Sequence, residues 1–188
     1  IPIAKELLSQ VAFVVRQLSD EGLNDRIAVN VSPIEFLQDD YVETVQRIFT
    51  EQDAPLNQLT IEITENLLLA DPEIVEQTMS RLAALGGVFS IDDFGTGYSN
   101  FMRIQQLPIG ELKIDREFVQ LAEVNDKHMG LLLAMLNMTK SLSVSSVAEG
   151  VETETQVKLL KENGADLLQG FYFARPVHFK DWLSERLS

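Results

Sequence analysis

The chain has 188 residues, 45% of them hydrophobic and 23% charged, which is the composition of an ordinary globular domain with one sizeable core. It contains no Cys, which excludes a disulfide framework, thiolate zinc and thiol catalysis, and fits a reducing, cytoplasmic compartment. Lys and Arg total 15 against 29 Asp and Glu, a net charge of −14, so extended nucleic acid and anionic membranes are repelled.

The chain opens on a helical pattern in which Ile3, Leu7, Leu8, Val11, Val14, Val15 and Leu18 share one face. Six short β-branched runs follow, at 27–31, 59–63, 88–92, 111–114, 144–148 and 166–170, each succeeded by a candidate helix. Helix starts are well marked. Ser32-Pro33-Ile34-Glu35 combines a capping Ser, a Pro at the first helical position and a capping-box Glu, and Asp71-Pro72 and Thr153-x-x-Gln156 repeat the signal. Gly86 and Gly164 stand where helix ends want a left-handed residue. In the fourth unit, 125–142 carries Leu131, Leu132, Leu133, Met135, Leu136 and Met138 almost all round one helix, which suits core packing or a subunit contact. No basic, apolar, small-residue segment opens these residues, and the longest apolar stretch, 130–136, falls short of the ~20 residues of a membrane span. No membrane contact by this domain is expected.

Six successive βα units with no hairpin signal predict a parallel sheet, either a closed barrel or an open doubly wound sheet. The polar residues decide between them. Near the carboxyl end of each strand stands at least one: Asn30, Glu62, Asp92 with Asp93, Lys113 with Asp115, Glu149 and Gln169. In Val29-Asn30-Val31, Ile61-Glu62-Ile63 and Leu112-Lys113-Ile114 the apolar neighbours have the opposite parity and face the helices, so the polar groups face inward. A barrel converges such groups at its C-terminal mouth, where barrel enzymes keep their active sites. A complete barrel has eight strands and typically ~250 residues. The expectation is therefore an α/β, TIM-type (β/α) barrel, incomplete at its N-terminus, with six βα units present.

Asn30, Glu62, Asp92, Asp93 and Glu149 are hard oxygen donors, the ligands that Mg²⁺ or Mn²⁺ prefers. Divalent cations would relieve their mutual repulsion and admit an anionic phosphodiester. Lys113 among these acids reads either as a charge-balancing partner or as a group orienting an attacking water or phosphate. Gly95 and Gly97 free the backbone after Asp93, with Phe94 and Tyr98 as apolar anchors, which reads as a hinged loop or a plain turn. His128 and His178 read as isolated surface or packing residues, Trp182 with Phe179 and Leu183 as the dock of the last helix, and Met129, Met135 and Met138 as core.

Five strings, in order and at matching separations, extend this reading: Ile61-Glu-Ile-Thr-Glu65, Ile91-Asp-Asp-Phe-Gly-Thr-Gly-Tyr-Ser99, Leu112-Lys-Ile-Asp-Arg116, Val147-Ala-Glu-Gly-Val-Glu-Thr153 and Gln169-Gly-Phe-Tyr-Phe-Ala-Arg-Pro176. Together they resemble the EAL family of cyclic di-GMP phosphodiesterases. The resemblance implies hydrolysis of cyclic di-GMP, a bacterial second messenger, to linear pGpG by a two-metal mechanism, with two Mg²⁺ or Mn²⁺ per site. It implies that Asn30, Glu62 and Asp92 hold one metal, with Asp92 shared, that Asp93 and Glu149 serve the second, and that Glu149 is the general base. It further implies that Lys113 contacts the attacking water, that Asp115, Glu152 and Gln169 support metals or substrate, and that Glu65 anchors the 93–99 loop. A homodimer through that loop and neighbouring helices, and a fused sensory or cyclase domain in the full-length protein, belong to the same expectation. The family's Glu-Ala-Leu motif, whose Glu completes the ligands of the first metal and whose following Arg holds substrate, is not among these residues. Residues 1–188 are accordingly read as an EAL phosphodiesterase domain lacking its first strands. The competing reading is a catalytically inactive cyclic di-GMP receptor. The matching metal and base positions present in the chain are all intact, which favours the enzyme.

Overall fold

The computed structural model describes residues 2–95 and 101–187. Helix α1 (Pro2–Asp20) leads into β1 (Ile27–Asn30), and the first crossover carries α2 (Pro33–Phe36) and α3 (Tyr41–Glu51). Then come β2 (Leu59–Thr64), a 3-10 segment (Glu65–Leu69), α4 (Pro72–Ala84), β3 (Val88–Phe94), α5 (Phe101–Ile104) and β4 (Ile109–Ile114). The fourth crossover is split into α6 (Arg116–Ala122) and α7 (Asp126–Leu142). The chain continues with β5 (Ser145–Ala148), α8 (Glu154–Glu162), β6 (Leu167–Leu168) and α9 (Phe179–Arg186).

All adjacent strands pair in parallel and their order in the sheet is their order in the chain, β1 to β6. An open doubly wound sheet reverses direction at a switch point, and this order has none. Every crossover therefore winds the same way, the helices cover one face, and the sheet curls into a half-barrel of the TIM type. The six expected strands are all present. The last is the shortest, because after Leu168 the ladder continues only as single bonds, from Gln169 N–H to Ala148 O at 2.8 Å and from Val151 N–H to Gln169 O at 3.0 Å.

The core lies between the outer face of the sheet and the helices. Val29, Ile61, Ile63, Phe89, Ile91 and Leu112 are buried against Phe36, Val45, Phe49, Val75, Met79 and Leu82. A second cluster joins Ile114, Val119, Leu132, Leu136, Ala148 and Leu160. Burial of each such side chain contributes roughly 1.5–3 kcal/mol. These are the residues of the parity assigned to the helix-facing side, so the alternate positions line the inside.

The helix signals act as read except at Glu35, whose carboxylate accepts from the Ser32 hydroxyl at 3.0 Å instead of closing a capping box on the Ser32 backbone N–H. The Ser32 hydroxyl accepts from Glu35 N–H, Asp71 accepts from Ile74 N–H, and the Thr153–Gln156 capping box is complete. Gly86 and Gly164 take φ of 103° and 78°. Of the all-round apolar helix α7, Leu132 and Leu136 are core while Leu131 is half exposed. Helix α9 buries no residue fully; Trp182 stacks on Phe179 at 6.1 Å, and Arg186 pairs with Asp25 at 3.3 Å, tying the last helix to the α1–β1 connection. His128 is half-buried and His178 exposed at the start of α9. Among the described residues no helix is long and apolar enough to cross a membrane.

Candidate active site

Register places the site. Asn30 of β1 is opposite Glu62 of β2, Glu62 is opposite Ser90 of β3, and Ser90 is opposite Glu111 of β4. Partners across parallel strands share a face, so Asn30, Glu62, Glu111 and, two residues further along their strands, Asp92 and Lys113 all point inward. Between β3 and β4 the register slips: Ile91 pairs with Leu112 but Phe94 pairs with Ile114. Two residues, Asp92 and Asp93, thus stand against the single Lys113, a β-bulge. Asp93 takes a left-handed φ of 54°, and the Asp92 Oδ1 accepts its backbone N–H at 3.1 Å. Without the bulge, strict alternation would send one of the two adjacent acids into the apolar layer. With it, Ile91 and Phe94 both stay buried and the acidic pair stands at the mouth.

Lys113 Nζ is the hub. It lies 3.1 Å from Glu62 Oε2, 3.1 Å from Asp92 Oδ1 and 2.9 Å from Glu149 Oε1, joining acids of three neighbouring elements, with only 8% of its side chain exposed. Glu149 is held from the backbone as well, its N–H donating to Ile114 O at 3.1 Å. Burial would push the Lys113 ammonium down, but the Glu149 and Glu62 carboxylates outweigh it and hold its pKa above the ordinary value. Glu149 moves up too. Its burial, together with the charges of Asp92 and Glu62, exceeds the opposing pull of Lys113. One ammonium thus does not neutralise three carboxylates. Burial and the neighbouring charges of Asp92 and Asp115 raise Asp93 in the same way. Below the cluster Glu111, also raised by burial, pairs with Arg26 at 3.4 Å across the inside of the sheet. That cross-sheet pair has no motif signal, since it joins the residue before β1 to β4.

The expected residues divide into two groups. Glu62, Asp92, Lys113 and Glu149 are in direct contact. Asn30, at the exposed end of β1, adjoins Glu62 through the register alone; it also lines, with Leu8, Val31, Glu35 and the buried Tyr41, a cavity of about 220 Å³ between α1, β1 and the first crossover, which Glu62, Asp92, Lys113 and Glu149 do not line. Asp115 caps α6, its Oδ1 accepting Glu117 N–H at 2.7 Å. Glu152 is exposed, its N–H fixed to the Gln156 side chain at 2.7 Å. Gln169 is exposed on the continuation of β6. Glu65 is 5% exposed at the end of β2, and neither carboxylate oxygen has a hydrogen-bond partner among the described residues. Residues 96–100 of its expected partner loop lie outside the described residues.

The donor chemistry fits a hard divalent cation: every group is oxygen and the cluster retains uncompensated negative charge. Among the described residues no three Asp, Glu or His side chains form a ready ligand cage, because the carboxylate oxygens converge on the Lys113 ammonium instead. Cation binding would require Glu62, Asp92 and Glu149 to turn part of that charge away from Lys113.

A half-barrel of parallel strands whose carboxyl ends gather carboxylates around one buried lysine defines a barrel-type α/β site. Residues 1–176 match the EAL domain family, and the chain belongs to that family. It is 32% identical over 182 residues to RocR, a cyclic di-GMP phosphodiesterase of Pseudomonas aeruginosa, covering 95% of this chain and 46% of RocR. It is 34% identical over 178 residues to MucR of the same organism, named a bifunctional diguanylate cyclase/cyclic di-GMP phosphodiesterase, covering 94% of this chain and 26% of MucR. The structure of the MucR phosphodiesterase in complex with cyclic di-GMP superposes with a TM-score of 0.92 at 33% identity, over 96% of this chain and 74% of that one. Klebsiella pneumoniae BlrP1, solved with calcium and cyclic di-GMP, superposes with a TM-score of 0.81 at 25% identity, over 92% of this chain and 43% of that one. The chain spans less than half the length of these two curated relatives.

Proposed function

We propose that this domain hydrolyses cyclic di-GMP to linear pGpG with the help of two divalent cations, Mg²⁺ or Mn²⁺. The observation that carries the reading is the Lys113 hub with its three carboxylates, beside an acidic pair brought to the same mouth by a bulge. Membership of the EAL domain family, and likeness to a relative named a cyclic di-GMP phosphodiesterase, support this choice of substrate.

Asn30, Glu62 and Asp92 would hold one cation, and Asp92, Asp93 and Glu149 the other. When bound, the cations neutralise the entering phosphodiester and acidify a water molecule. Glu149, whose carboxyl is held above its ordinary value, takes the proton of the attacking water. Lys113 orients that water and presents positive charge to the phosphoryl oxygens. As the new P–O bond forms, the bond to the opposite ribose oxygen breaks and that oxygen takes a proton from solvent water, opening the ring once, while Glu149 returns its proton to solvent. Asp115, Glu152 and Gln169 contact the substrate, and Glu65 anchors the 93–99 loop. The eight-stranded barrel such a mouth needs would be completed between β6 and β1.

The test is incubation of the full-length protein with cyclic di-GMP and Mg²⁺ or Mn²⁺, with separation of products. A single linear dinucleotide supports the reading. Binding without cleavage under every metal condition would replace it with a receptor role.

A further inference from the structure

We infer that Glu123, at the end of α6, is a positioning residue for Glu152, acting through the side-chain amide of Gln156. The inference rests on the phosphodiesterase reading above, in which Glu152 contacts substrate.

Gln156 is 4% exposed, and both ends of its amide are used. Its Oε1 accepts from the backbone N–H of Glu152 at 2.7 Å and of Thr153 at 3.1 Å, and its Nε2 donates to Glu123 Oε2 at 3.1 Å. The other Glu123 oxygen lies 3.4 Å from the Thr153 hydroxyl, which can donate to it. A capping box requires only the bond from the Thr153 N–H to the third residue of the helix. Here the same oxygen also takes the N–H of Glu152, so the cap of α8 reaches into the candidate site.

Glu123 decides which way that amide points. A carboxylate only accepts, so it selects the NH₂ end of Gln156 and leaves the oxygen for the two backbone donors. Without Glu123, the buried NH₂ loses its partner and nothing on α6 opposes a flip that would set NH₂ against the N–H groups of Glu152 and Thr153. Glu123 is 33 residues before Gln156 in the chain, so the pair also locks the α6 and α8 crossovers together.

Glu149 is fixed separately, by its N–H to Ile114 O and by its ion pair with Lys113. Loss of Glu123 therefore loosens Glu152 and spares the proposed base. The kinetic signature follows: substrate binding weakens while the chemical step is kept. A purely structural role would do the opposite, lowering the amount of folded enzyme and hence kcat at unchanged KM.

The experiment is steady-state hydrolysis of cyclic di-GMP by the full-length protein, its Glu123→Ala variant and its Glu123→Gln variant, with a melting temperature for each. Glu123→Ala should raise KM about tenfold, the lower end of the loss when a supporting partner is removed, with kcat per folded enzyme within about twofold and a Tm lowered only as far as the lost buried hydrogen bond requires. Glu123→Gln, which keeps an acceptor oxygen, should recover most of the loss. Parent-like KM in Glu123→Ala, or a fall in kcat with a lowered Tm and constant KM, would overturn the inference. If the parent does not cleave, the phosphodiesterase reading fails, and the same series is read by calorimetric affinity for cyclic di-GMP. There Glu123→Ala must bind about tenfold more weakly, and equal affinities, or a parent that neither cleaves nor binds, overturn the inference.

Discussion

Lys113 is the counter-ion that lets Glu62, Asp92 and Glu149 share one buried corner. Removing one member of such a cluster leaves uncompensated buried charge, a loss of about 3–5 kcal/mol. Lys113→Met should therefore lower stability by that order in chelator, measured by urea unfolding, and Mg²⁺ or Mn²⁺ should restore part of it by replacing the missing positive charge. Parent-like stability of Lys113→Met in chelator would show that the four groups are not coupled. In the sequence, the types and strand-end positions of these residues were legible, because parity alone assigns Glu62 and Lys113 to the inside. The way the chain presents Asp92 and Asp93 together was not. Its trace was the spacing of Ile91 and Phe94, two buried apolar residues three apart where alternation demands two or four.

At the level of elements, the strands and caps were legible because period-two alternation and capping side chains are local signals. β6 was shorter than its pattern at both ends: after Leu168 only single ladder bonds remain, and before Leu167 it is the Asp166 side chain that meets β5, its Oδ2 accepting from both the backbone N–H and the hydroxyl of Ser146, each at 2.8 Å. These bonds hold the Asp166 carboxyl below its usual range. A depressed carboxyl contributes stability that is present above its unfolded pKa of about 3.9 and lost as pH falls through the folded value. The gap in Tm between parent and Asp166→Asn should thus be full near neutrality and should close as pH falls below the unfolded value. A gap independent of pH would mean that the ionised carboxylate is not what joins β5 to β6. Gly150, next to the proposed base, takes φ of 66°, and a Cβ there would overlap Arg116 Cβ. Gly150→Ala should cost at least about 1 kcal/mol from the left-handed backbone alone and lower turnover by displacing Glu149. A variant with parent-like denaturant midpoint and kcat would contradict this packing.

For the whole molecule, the half-barrel order was legible from six βα units, whereas long-range ties such as Arg26–Glu111 and Arg186–Asp25 were not. Nothing in local pattern joins residues so far apart. Leu131 and Met102 are exposed, and Met135 of α7 lies where a Cβ of Gly95 would stand, so α7 packs on the root of the 93–99 loop. We therefore expect a homodimer through this region, seen by sedimentation at micromolar concentration. Leu131→Glu should dissociate it and reduce turnover, and a monomeric parent with full activity would contradict the coupling. The central claim is that the acids around Lys113 serve metal-dependent cleavage of cyclic di-GMP. Its most direct test is turnover of cyclic di-GMP by the full-length protein and by Asp92→Asn, each with Mn²⁺ or Mg²⁺ and with chelator. The account predicts metal-dependent opening to pGpG by the parent and none by Asp92→Asn, which keeps the shape of the side chain but not its charge. Cleavage in chelator, or near-parental turnover by Asp92→Asn, would contradict it.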